Sequence, residues 1–208
     1  MTRRYLALGD SYTIGEGVSA SERWPMQLAA AVRDVGVALA DPDIVAKTGW
    51  TTTELLAALD ALAPPLGTDY DLVSLLIGVN DQYRGLGARA FRDGLVTLLS
   101  RAVSYAGDEP ARVLVISIPD WSVTPFAGSD PRGAAAIANE IDEFNTLIRS
   151  EALDVSARFI DVTPVSRSAA RDRALLATDG LHPSGRMYAA WARIILPVAC
   201  QALSVKAL

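Results

Sequence analysis

The sequence predicts an α/β fold: a three-layer α/β/α sandwich around a central, mostly parallel five-stranded sheet. Two observations predict it. Short apolar runs of strand length alternate with longer segments of helical period, and such alternation builds a parallel sheet covered by helices on both faces. The middle runs, 72–77 and 113–118, are apolar apart from one serine each. A central parallel strand, buried on both faces, needs that composition.

The elements follow in order. Residues 5–8 form the first strand. Residues 24–33 have helical spacing, with Pro25 where a first helical turn tolerates it. Residues 43–46 are the second strand. A helix over 52–62 is capped by Thr52 or Thr53 and stopped by Pro64 and Pro65. Strand 72–77 leads into a long helix over 88–105. Strand 113–118 leads into a loop over 119–133 rich in Pro, Ser and Gly. A helix over 134–152, a last strand over 158–162 and a last helix over 186–203 complete the chain. No linker or internal repeat divides it, so residues 1–208 read as one domain.

Composition narrows the function classes. The net charge is -5 and the basic residues are scattered, whereas phosphate binding needs clustered Lys and Arg. A nucleic-acid partner is not expected. One cysteine, Cys200, permits no intrachain disulfide and sits in an apolar stretch, as a small core residue would. One histidine, His182, excludes a multi-histidine metal site. No apolar run is long enough to span a membrane. The N-terminal apolar stretch is too short for a signal-peptide core, and the expected location is cytoplasmic. Nothing specifies an oligomeric state.

In parallel sheets the ligand site lies beyond the carboxyl ends of the strands. Polar residues gather there. Gly9-Asp10-Ser11-Tyr12 follows the first strand, Lys47-Thr48-Gly49-Trp50 the second and Gly78-Val79-Asn80-Asp81 the third. Thr178-Asp179-Gly180-Leu181-His182-Pro183 precedes the last helix. Acyl transfer needs these residue types. A serine hydroxyl needs a base to take its proton, and His182 is the imidazole available. Asp179, three positions upstream, is close enough to orient that ring. The Ser11 amide, the Gly49 amide and the Asn80 side chain are candidate donors to an oxyanion. Asp10 and Asp81 read as supports that hold loop amides. Trp50, Tyr83, Trp121 and Phe126 are loop aromatics that suit an apolar substrate wall.

Gly9-Asp10-Ser11, Gly49, Gly78-x-Asn80-Asp81 and Asp179-x-x-His182 match, in order, the four blocks of the SGNH (GDSL-type) hydrolases. The chain resembles that family from the first strand to the last helix. The resemblance implies a flavodoxin-like sheet. It also implies a triad of Ser11, Asp179 and His182 that needs no metal and no cofactor, and a small-molecule acyl ester as substrate. Tyr12 stands where many members carry Leu. Gly78-Val79-Asn80-Asp81-x-x-Arg84-Gly85 is similar to the pattern in bacterial acyl esterases and thioesterases of the family, so thioesters, lysophospholipids and sugar acetates are alternatives to short carboxylic esters.

Rival readings fit less well. Gly15-x-Gly17-x-x-Ala20 lies too far beyond the first strand for dinucleotide binding. A magnesium phosphatase using Asp10, Asp81 and Asp179 would need a second aspartate two positions from Asp10, where Tyr12 stands. A non-catalytic interaction domain would not require the full set of triad residues. A histidine base also predicts activity that rises as His182 loses its proton.

Overall fold

The computed structural model describes residues 2–204. In chain order the main elements are β1 (Tyr5–Gly9), α1 (Ser11–Ile14), α2 (Trp24–Asp34), β2 (Asp43–Ala46), α3 (Thr52–Asp60), β3 (Leu72–Leu76), α4 (Val79–Tyr83), α5 (Ala88–Tyr105), β4 (Val113–Ile116), α6 (Ala134–Asp154), β5 (Arg158–Ile160), α7 (Thr163–Ser166) and α8 (Gly185–Ala202). The five strands form one sheet in the order β2-β1-β3-β4-β5, and every neighbouring pair is parallel. The expected α/β fold is the observed one.

Composition explains the placement of the strands. β1, β3 and β4 are buried along their whole length, while the edge strands β2 and β5 are only partly covered. Each large aliphatic side chain buried this way stabilises the fold by about 1.5–3 kcal/mol. The two serines in the apolar runs are not exceptions to burial, because each is hydrogen-bonded. Ser74 Oγ meets Tyr5 Oη at 2.9 Å, and Ser117 Oγ accepts the Val162 amide at 2.8 Å. Helices α2 and α8 pack together on one face of the sheet, and α3, α5 and α6 pack side by side on the other.

The cap of α3 differs from expectation. Thr51, not Thr52 or Thr53, is its N-cap: Thr51 Oγ1 accepts the Glu54 amide and Glu54 accepts the Thr51 amide in return. This reciprocal capping box satisfies two amides that the helix cannot. Thr52 is used elsewhere, on Asp81.

The strand order locates the site. The chain leaves β1 for β2 on one side and returns to β3 on the other. Between two crossovers of opposite direction a crevice opens at the carboxyl ends of the strands. The loops after β1 and β3 therefore face a common space.

Candidate active site

Ser11 is separated from β1 by Asp10 alone and opens α1. Asp10 caps that turn, its Oδ1 accepting the Tyr12 amide at 3.0 Å. The turn is tight enough that a Cβ on Gly9 would collide with the Leu76 carbonyl of the neighbouring strand and with Thr13. Only glycine lets β1 and α1 approach so closely. The Tyr12 ring packs against His182 at a centroid distance of 5.5 Å and against Trp191 at 6.3 Å. Tyr12 thus ties the Ser11 turn to the His182 loop and to α8.

Asp179 and His182 share one turn before α8. Asp179 Oδ2 lies 2.6 Å from His182 Nδ1, and its Oδ1 accepts the Leu181 and His182 amides at 2.9 Å each. Burial pushes the Asp179 carboxyl up, but these three hydrogen bonds together outweigh it and hold the group below its ordinary value. A carboxylate on Nδ1 makes that nitrogen the donor and leaves the lone pair on Nε2. Ser11 and His182 line the same cavity. Ser11 Oγ makes no hydrogen bond within the described residues, an arrangement usual before substrate tightens a site.

Gly49 sits at φ +86°, in the left-handed region that favours glycine, and its carbonyl accepts Arg84 Nη2 at 2.6 Å. Asn80 lies in the first turn of α4 and donates from Nδ2 to the Trp50 carbonyl at 2.9 Å. That bond uses one of two amide hydrogens and fixes the side-chain plane. Asp81, buried beside it, accepts the Thr52 amide at 3.0 Å and the Thr52 hydroxyl at 2.7 Å. Asp10 and Asp81 therefore hold loop groups, as the sequence suggests.

The cavity has a volume of about 140 Å³, and Ser11, Gly49, Asn80 and His182 all line it. Its apolar wall is Tyr83, Trp121 and Phe126, whose ring centroids lie 5.6–6.0 Å apart in tilted and edge-on pairs. Trp121 is fixed by its Nε1, which donates to Gln82 Oε1 at 2.8 Å. Trp50 is a correction to the expected wall: it does not line the cavity. Its side chain packs half-buried against the hydrophobic core, and only its carbonyl serves the site, as the acceptor for Asn80.

A family model described as the GDSL-like lipase/acylhydrolase family matches residues 7–190. The chain belongs to that family. It is accordingly an ester-hydrolysing serine hydrolase. Solved GDSL-type structures share the fold at low identity. A phospholipase A1 from Streptomyces albidoflavus NA297 superposes with TM-score 0.71 at 23% identity, covering 97% of this chain and 100% of that one. A lipase/acylhydrolase from Enterococcus faecalis gives 0.71 at 21%, covering 99% and 98%. The acetylxylan esterase Axe2 from Geobacillus stearothermophilus gives 0.64 at 17%, covering 98% and 95%. No curated protein sequence matches the chain.

Two features of this GDSL-type site escaped the sequence. One is the contact of Tyr12 with His182; the other is the hold of Arg84 on Gly49. A signal for the second existed, since Asn80 and Arg84 are four residues apart and share a face once the segment is helical. Among the described residues, no helix is long and apolar enough to cross a membrane, and no three His, Cys, Asp or Glu side chains converge as a metal site would require.

Proposed function

We propose that this hydrolase cleaves small carboxylic esters of short acyl chain through an acyl-enzyme on Ser11. Ser11 Oγ attacks the acyl carbon while His182 Nε2 takes its proton, and Asp179 steadies the imidazolium. The Ser11 and Gly49 amides and Asn80 Nδ2 receive the oxyanion. The tetrahedral intermediate expels the alcohol, which leaves with the proton held by His182. Water, deprotonated by the same nitrogen, then attacks the acyl-enzyme and releases the acid and Ser11.

One observation carries the reading: Ser11, Gly49, Asn80 and His182, from four separate segments of the chain, line one cavity, with the His182 ring already oriented by Asp179. Substrate size follows from volume. A closed apolar cavity of ~150 Å³ accommodates a benzene-sized group, and this one measures about 140 Å³. The cleft here is open to solvent, so the comparison sets a scale: an acyl group of about six carbons fills it. The three aromatics favour an apolar acyl chain on their side over a sugar.

A p-nitrophenyl ester series from acetate to decanoate tests this reading. The expected profile of kcat/KM is highest from acetate to hexanoate and falls by about tenfold at decanoate, because a longer chain meets the aromatic wall and overpacking there costs about 1–3 kcal/mol. Phe126 is partly exposed at the wall, so Phe126→Ala opens the cavity without removing core. That variant shifts the maximum to longer chains. A flat profile in both proteins would remove the size argument.

Asp179→Asn is expected to lower kcat/KM for the butyrate ester by roughly 10²- to 10⁴-fold. The asparagine keeps an oxygen for the Leu181 and His182 amides but turns its NH₂ towards His182 Nδ1. That favours the tautomer with the proton on Nε2, where the lone pair is needed. Thermal unfolding should change little. An Asp179→Asn enzyme within threefold of wild type would count against the orienting role.

A further inference from the structure

We propose that Arg84 is a positioning residue that holds the oxyanion donors Gly49 and Asn80 in register. The inference rests on the oxyanion reading above.

The loop over 48–52 carries one donor, the Gly49 amide, and anchors the other, the Asn80 side chain. It is fastened to the α4 segment at three successive points. Arg84 Nη2 donates to the Gly49 carbonyl at 2.6 Å, Asn80 Nδ2 to the Trp50 carbonyl at 2.9 Å, and the Thr52 amide to Asp81 Oδ2 at 3.0 Å. Arg84 is steadied in turn by Glu54, whose carboxylate lies 3.2 Å from Nη1 and also accepts the Thr51 amide at 2.8 Å. One α4 segment therefore sets the position of both donors.

Gly49 is the soft point of this fastening. It sits at φ +86°, has no side chain to pack, and without a Cβ its flanking peptides rotate more easily than at any other residue. The bond from Arg84 is charge-assisted, stronger than an ordinary amide contact. It pins the peptide that follows Gly49, so that only the two dihedrals of Gly49 itself separate the donor N–H from a fixed point. A donor aimed at an oxyanion acts in the transition state and hardly at all on bound substrate. Loss of the pin should therefore appear in kcat.

Arg84 is about half exposed, and its removal leaves no buried charge. The test compares wild type, Arg84→Ala, Arg84→Lys and Asn80→Ala on p-nitrophenyl butyrate, with thermal unfolding of each. Arg84→Ala is expected to lower kcat ten- to a hundredfold with KM within about twofold, less than or equal to the loss on deleting one donor outright. Arg84→Lys keeps one N–H for the Gly49 carbonyl and recovers part of the loss. Asn80→Ala falls at least about a hundredfold. If Asn80→Ala falls and Arg84→Ala keeps wild-type kcat, Arg84 is only a surface ion pair and the proposal is overturned. A raised KM at unchanged kcat overturns it too, because Arg84 would then contact substrate. If Asn80→Ala retains full activity, the oxyanion reading itself fails and takes this inference with it.

Discussion

Ser11→Ala lowers turnover of short esters by on the order of 10⁴-fold or more, and His182→Ala lowers it by a similar factor. The size of the effect follows from the geometry. No second imidazole exists in the chain, so nothing can replace the base. The Asp179–His182 pair is preformed at 2.6 Å, and in the proposed cycle it handles both proton transfers, from Ser11 to the leaving alcohol and from water back to Ser11. Nucleophile and base act as one unit, so the double variant should be no slower than either single one within a fewfold. Ser11 lies in the first turn of α1 and His182 in the loop before α8, both outside the packed strands, and truncation should leave unfolding cooperative. A measured loss of only tenfold in Ser11→Ala would mean that another group attacks the ester.

Asp10→Asn should remove a decline of stability with pH. Asp10 is fully buried under the Ser11 turn; its Oδ1 accepts the Tyr12 amide and its Oδ2 has no partner among the described residues. Burial pushes this carboxyl up to about 8, the Tyr12 amide opposes that, and the nearby Asp81 adds to it. The sign follows from linkage. An unfolded aspartate ionises near ~3.9. Between about pH 4 and about pH 8 the unfolded chain has lost this proton and the folded chain keeps it, so folding stability falls as pH rises. The slope approaches about 1.4 kcal/mol per pH unit within that window and vanishes above it. Asparagine offers the same oxygen to Tyr12 and a neutral NH₂ in place of the protonated oxygen, so its stability lacks this component. Urea unfolding of both proteins from pH 5 to 9 isolates the effect, because every other titrating group is shared. The Asp10→Asn protein should gain on wild type up to about pH 8, by a few kcal/mol in all. Parallel curves would show Asp10 ionised in the fold.

Much of this fold is legible in the sequence because its signals are local. The apolar runs of β1, β3 and β4 and the periodicity of α5 need no tertiary information, and α5 spans Ala88–Tyr105 as its pattern predicts. The short helices α1, α4 and α7 have four or five residues, too few for a helical period to register. Strand ends depend on distant partners. The run over 113–118 reads as one strand, yet β4 stops at Ile116. Beyond it the Ser117 amide still reaches the Ile160 carbonyl, and the Asn145 side chain of α6 then takes over, accepting the Ile118 amide at 2.8 Å and donating to the Ile118 carbonyl at 3.0 Å. The helix expected to reach residue 62 ends at Asp60, since Pro64 already disfavours helical backbone at Ala63.

The site divides in the same way. Ser11, Asp179 and His182 stand in short local blocks and can be picked out by residue type. The wall cannot, because an aromatic residue in a loop carries no mark of its direction. Tyr83, Trp121 and Phe126 face the cavity while Trp50 turns to the core. The Trp50 carbonyl instead accepts Asn80 Nδ2, a contact between residues thirty positions apart.

Covalent trapping shows whether Ser11 is the nucleophile. The protein is incubated with an organophosphate that esterifies activated serines, then digested and mapped by mass spectrometry. One adduct is expected, on Ser11, formed as activity disappears and strongly slowed in His182→Ala. Full inactivation with the adduct on a different residue, and Ser11 unmodified, would contradict it.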